Sequence, residues 1–226
     1  MRFDAVAFDL DGTLYPNAAL FARALPAMLS KARRLSAFNA VRQRLRSMGL
    51  NDPVYRGAPP RDGAAFRTLE ARMAAPAMGM TEAEAEAYIA RHFYAYVEEL
   101  FARVRPYRGV GQALDALAGR GLRLALLSDL PPRRKLELMG LWGRFDPALC
   151  SSDSGFLKPA REPFAMLASA LGLPPDRILY VGNSPRVDAA GAKAAGMASA
   201  IVSRRAVPEA DFTFFDWNRL VEFVLS

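Results

Sequence analysis

The chain has 226 residues, 52% of them apolar and 23% charged, with a single cysteine, Cys150, and a formal net charge of +7. That size suits one large domain, or a core domain with a smaller insert. One cysteine excludes an intrachain disulfide and argues against a cysteine metal site, and no continuous apolar stretch is long enough to cross a bilayer.

The first segment, "MRFDAVAFDLDG", has too short an apolar run for a signal peptide, and acids interrupt it, so a cytoplasmic protein is expected. Within it "DAVAFDL" (4–10) reads as a short buried strand. From about 18 to 104 the pattern is helical and rich in alanine, with no convincing strand. The stretch 26–48 is a basic amphipathic helix, and 49–63 is a loop with three prolines and three glycines. The segment 81–104 opens on Thr81, a helix N-cap, with Glu84 three residues on in a capping-box pattern.

After "RPYRG" (105–109) the rhythm changes. Helices are expected at 110–119, 133–140, 161–171, 184–196 and 217–225, and strands at 122–129, 148–153, 177–183, 198–203 and 211–215. Strands alternating with helices imply βαβ units. The fold expected is therefore α/β, a doubly wound parallel sheet, with an inserted helical domain. The core takes 1–14 and 106–226, and the helical insert takes 15–105. The charge follows the same division. Residues 15–108 carry 15 Lys and Arg against 8 Asp and Glu, and the rest carry 15 against 15. A local positive field attracts anions, from small phosphates to nucleic acid. No nucleic-acid motif accompanies it, and acids interleave at 81–99, so a nucleic-acid partner is not expected. The basic run 31–46 reads first as a solvated helix face, and second as a set of arginines steering an anionic substrate. His92, the only histidine, reads as a helix residue with a satisfied hydrogen bond, and Cys150 as packed in the sheet.

In open parallel sheets, ligands gather at the carboxyl ends of the strands. The expected strand ends hold Asp9, Asp11, Gly12 and Thr13; Ser128 and Asp129; and Gly182, Asn183, Ser184 and Asp188, with Lys158 ahead of a helix. This collection suits phosphoryl transfer. A carboxylate can attack phosphorus, and a second one can protonate the leaving oxygen and then activate water. Mg²⁺ prefers such oxygen ligands, and a lysine and a serine can bind phosphoryl oxygens.

The segments "DLDGT", "LLSD", "LKP" and "VGNSPRVD" occur in this order. In them the chain resembles the haloacid dehalogenase-like hydrolase superfamily, and the helical insert is similar to that superfamily's α-helical cap of the first type. The resemblance implies a Mg²⁺-dependent hydrolase of small phosphate monoesters, working on a small phosphorylated metabolite through an aspartyl phosphate. By it Asp9 is the nucleophile and Asp11 the general acid/base. Gly12, Thr13, Ser128, Asp129 and Lys158 bind the phosphate, and Asp9, Asp11, Asn183 and Asp188 hold the metal. Asp11 favours ester hydrolysis over carbon–halogen cleavage, since the dehalogenase branch lacks that acid. Two residues depart from the usual pattern: Asn183 stands where an acid is usual, and Asp129 where an asparagine is frequent. They leave open a second reading, a catalytically weak or inactive binding protein of the same fold.

Overall fold

The computed structural model describes residues 2–17, 29–49, 52–55, 58–95, 101 and 104–226. In chain order it contains β1 (Ala5–Phe8), α1 (Ala32–Ser47), α2 (Gly63–Met78), α3 (Glu82–Ile89), α4 (Val110–Gly119), β2 (Arg123–Ser128), α5 (Arg133–Leu138) and β3 (Ala148–Cys150). It continues with α6 (Arg161–Leu171), β4 (Ile178–Gly182), α7 (Ala190–Ala194), β5 (Ala198–Val202), β6 (Phe212–Phe214) and α8 (Trp217–Leu225). The strands form one sheet in the order β3-β2-β1-β4-β5-β6, and every pairing is parallel.

The sheet is doubly wound because its strands are apolar on both faces. Val6 and Phe8 point with Leu126 and Val181 into one cluster, closed by Val110 and Leu114 of α4 and Trp217 and Leu220 of α8. Ala5 and Ala7 point the other way with Ala125 and Tyr180, under Phe164 and Leu167 of α6 and Ala192 of α7. Small residues on that side of β1 leave room for the large rings above them. Each expected strand and helix of the core occurs, with ends shifted by a few residues.

The helical segment builds a third cluster of its own. Phe38, Leu45, Phe66, Leu69, Met78, Ile89 and Phe93 meet there, and Phe156 and Leu157 of the core join them. Tyr55 is buried in the same cluster and Tyr94 packs against it, while Tyr96 lies outside the described residues. The expected capping box is present: the Thr81 hydroxyl accepts from the Glu84 amide, and Glu84 accepts from the Thr81 amide. Asp62 caps α2 in the same way, through the Ala65 amide at 2.8 Å. His92 pairs with Lys31 at 3.1 Å, and Cys150 is buried at the end of β3. Among the described residues no helix is long and apolar enough to cross a membrane.

Candidate active site

The strand order reverses between β1 and β4, the point at which open parallel sheets bind ligands beyond the carboxyl ends of their strands. The chain enters it from both strands. Asp9 extends the ladder by one bond, its amide donating to Val181 O at 2.8 Å, and the backbone then turns through Gly12 at φ +90°. That φ favours glycine, and a Cβ there would also sit 2.1 Å from Asn183 Nδ2 and displace that side chain.

Asp9 is buried, with 6% of it exposed. Its Oδ2 accepts from the Thr13 hydroxyl at 2.7 Å and its Oδ1 from Lys158 Nζ at 2.8 Å. Lys158 also donates to Asp188 Oδ1 at 2.9 Å and to the Tyr180 hydroxyl at 2.9 Å. Tyr180 in turn donates a hydrogen bond to Leu127 O at 2.9 Å. Burial works against the lysine's charge, but Asp188 and Asp9 outweigh it and hold the ammonium well above the ordinary lysine range. For Asp9 the balance runs the other way. Burial pushes its carboxyl up to about 7 against the pull of Lys158, and the charges of Asp188 and Asp11 add to the rise.

Asp11 lies in a different setting. Its Oδ1 accepts from Tyr15 at 2.5 Å and from Lys135 at 2.6 Å. Its Oδ2 accepts from Lys135 at 2.8 Å and from the Ser128 hydroxyl at 3.4 Å. Burial raises its carboxyl, but Lys135 prevails and holds it below the ordinary carboxylate range.

The structure therefore brings Asp9, Asp11, Thr13, Ser128, Lys158, Asn183 and Asp188 to one end of the sheet. Two expected residues have other occupations there. Asp188, expected on a metal, gives Oδ1 to Lys158 and Oδ2 to the amides of Asn183 and Ser184 at 3.0 and 2.9 Å. It is a bracket joining Lys158 to the loop after β4. Asp129, expected on phosphate, turns its carboxylate to the helical segment. Arg46 meets its Oδ2 at 2.9 Å, the Lys158 amide donates to its Oδ1 at 3.2 Å, and Arg42 donates to its carbonyl at 2.9 Å. Arg42 is in turn fixed by buried Glu70 at 2.8 Å, which also accepts from Tyr94 at 2.5 Å. Burial alone would raise the Asp129 carboxyl; Lys158, Arg46 and Arg42 reverse this and hold it low.

Lys135, Tyr15, Tyr180 and Arg42 escape a reading of the sequence. Lys135 is one of three adjacent basic residues, Arg133 to Lys135, and nothing in the run marks which of them turns inward. Tyr15 has a faint signal, four residues beyond Asp11.

Paired aspartates after the first strand of a doubly wound parallel sheet, and a buried lysine bridging to the fourth, are the features of this site. The model of the family described as haloacid dehalogenase-like hydrolase matches residues 3–196. The chain belongs to that family. It is 30% identical over 221 residues to phosphoserine phosphatase of Thermus thermophilus, covering 89% of each chain. It is 33% identical over 202 residues to phosphoglycolate phosphatase of Rhodospirillum rubrum, covering 88% of this chain and 79% of the other. Among solved structures it is similar to 2-haloacid dehalogenase of Pseudomonas syringae pv. Tomato, with a TM-score of 0.65 and 26% identity, covering 99% and 98%.

Proposed function

We propose that the protein is a phosphatase acting on small phosphate monoesters. The observation that carries this reading is the pair Asp9 and Asp11 in contrasting surroundings, one bound to Lys158 and Thr13, the other beside Ser128. The phosphatases among its relatives support it. Asp11, ionised beside Lys135, takes up a proton as the anionic ester binds next to it. Asp9 then attacks phosphorus, and the bond from phosphorus to the ester oxygen breaks as Asp11 gives that oxygen the proton. Asp11 then takes a proton from water, whose oxygen displaces Asp9 and releases inorganic phosphate. Lys158, Ser128 and the Gly12–Thr13 turn hold the phosphoryl oxygens, while Thr13 and Lys158 aim the Asp9 carboxylate. Residues 15–105 are proposed as the cap that closes over the bound ester and excludes water. The direct test is hydrolysis of p-nitrophenyl phosphate with Mg²⁺ present. A protein that binds phosphate esters and turns none over is the inactive relative. Asp129 gives that alternative less support than the sequence does, since Arg46 draws its carboxylate to the helical side.

A divalent cation fits the residues present. The Asp9 carboxylate, the Asp11 carbonyl and the Asn183 side-chain oxygen would form an all-oxygen set once the Asn183 amide turns, since its Nδ2 is the atom that faces Asp11 O, at 3.4 Å. Mg²⁺ held by these three groups would offset the repulsion between Asp9 and the phosphate. Asp188 is proposed as a further member of this set, directly or through a water; its oxygens accept hydrogen bonds here just as those of Asp9 do.

Two results are expected. Mg²⁺ affinity should rise roughly tenfold per pH unit below about pH 7 and level off above it, because Asp9 gives up a proton to bind. Calorimetric titration across this range checks it, and a flat affinity would remove Asp9 from the ligand set. Asn183→Asp should lower the half-saturating Mg²⁺ for activity. It should also lower the melting temperature of the metal-free protein, since a carboxylate would then face the Asp11 carbonyl in place of an N–H donor. An unchanged Mg²⁺ requirement would make Asn183 only a member of the loop.

A further inference from the structure

The proposed reaction leaves one buried cation beside Asp11 without a part. Lys135 stands on α5, the helix after β2, and is only 2% exposed. Its ammonium reaches both Asp11 oxygens, at 2.6 and 2.8 Å, and lies 5.2 Å from the centre of the Phe101 ring. Phe101 also meets Tyr15 edge to face, with centroids 4.9 Å apart, and Tyr15 donates to the same carboxylate. An ammonium so far from water loses its hydration, and only close pairing offsets that loss. The geometry also has a direction. Lys135 spans both oxygens, Tyr15 adds a second bond to Oδ1, and Oδ2 lies on the side of the Ser128 hydroxyl. Ser128 is the group assigned to phosphoryl oxygen.

We propose that Lys135 is the positioning residue of the acid–base: with Tyr15 it fixes the Asp11 carboxyl so that Oδ2 faces the phosphate site. The inference rests on the phosphatase reading of that site. Lys135 itself touches no substrate. It acts by sparing Asp11 a search over its rotamers, so that a proton taken up when the anionic ester binds reaches the leaving oxygen from a group already in place. The consequence depends on the leaving group. An alkoxide needs the proton, whereas p-nitrophenolate departs with little help.

The experiment compares Lys135→Met, Lys135→Arg, Asp11→Asn and the double variant Lys135→Met/Asp11→Asn on glycerol phosphate and p-nitrophenyl phosphate. Lys135→Met should lower kcat on glycerol phosphate on the order of 10- to 100-fold, within the roughly 10²–10⁴-fold that general acid–base catalysis supplies. KM should stay within about twofold, and p-nitrophenyl phosphate should lose much less. Lys135→Arg should recover part of the loss, since a guanidinium can still donate to both oxygens. In the Asp11→Asn background the lysine change should cost nothing further on p-nitrophenyl phosphate. The double variant leaves no buried charge unpaired, so it reports even where Lys135→Met does not fold. Equal losses on the two substrates, or the same factor lost with and without Asp11, would overturn the proposal. If Asp9→Asn leaves turnover intact, the phosphatase reading itself fails. If Asp9→Asn abolishes turnover and the Lys135 variants behave as wild type, only the role of Lys135 fails.

Discussion

Asp9→Asn is expected to abolish turnover, with a loss on the order of 10⁴-fold or more, as removal of an attacking side chain does in other covalent mechanisms. The amide keeps the shape of the carboxylate, its oxygen can still accept from Lys158, and its NH₂ then faces Thr13, whose hydroxyl can turn to accept. It cannot form the acyl phosphate. The same variant should show a second effect, on stability. In the folded chain Asp9 holds its proton up to about pH 7, against an ordinary value of 3.8. Across that interval the folded state binds more protons than the unfolded one, so this group's contribution to stability falls as pH rises. Asparagine has no such dependence. Relative to wild type, Asp9→Asn should therefore gain melting temperature on going from about pH 5 to about pH 8, in metal-free buffer. Turnover near the wild-type level would require another nucleophile. A stability difference that does not move with pH would mean that Asp9 is ionised throughout.

The parts of this molecule most legible in the sequence are those that burial fixes. The run 4–10 reads as a short buried strand, and Asp9 and Asp11 stand at its carboxyl end. With β1 placed, parallel topology puts the ends of β2 and β4 beside it, and Ser128 and Asn183 follow. The helical segment is legible as helix for a similar reason. The Thr81 and Glu84 caps are local, and a local hydrogen bond needs no knowledge of the rest of the chain.

The partners of charged side chains are not legible in this way. A charge count assigns the whole surplus to residues 15–108 but does not say which charges are already spent. Arg42 and Arg46 stand over the strand end, and Glu70 and Asp129 occupy them. Asp188 shows the same limit. Its spacing from Asn183 suits a ligand or a bracket equally, and the bracket depends on Lys158, which is 30 residues away in sequence. Lys135 and Asp11 are 124 residues apart. Such pairs are set by tertiary distance, on which composition and periodicity are silent.

Lys158→Met should produce the largest combined loss of stability and activity. Lys158 is 2% exposed and is the cation between Asp9 and Asp188. Methionine fills much of the same volume but leaves two carboxylates facing each other away from water. Breaking a buried pair by removing one partner costs roughly 3–5 kcal/mol, a large share of the roughly 5–15 kcal/mol that holds a domain folded. Equilibrium urea denaturation at neutral pH would show it as a lower midpoint. The loss should shrink on acidification. Without the ammonium the buried Asp9 carboxyl is raised further, and its taking up a proton removes the repulsion between the pair. Adding Asp188→Asn should return part of the stability at neutral pH, because one of the two unpaired charges disappears. It should return none of the activity. The phosphoryl oxygens would still lack their ammonium, and loss of one such preorganised donor costs on the order of 10²–10³-fold in kcat. This separation of the two readouts distinguishes a lysine that binds phosphate from one that only neutralises its neighbours. If the double variant recovers turnover together with stability, Lys158 serves the fold alone, and the phosphoryl group is bound by other residues.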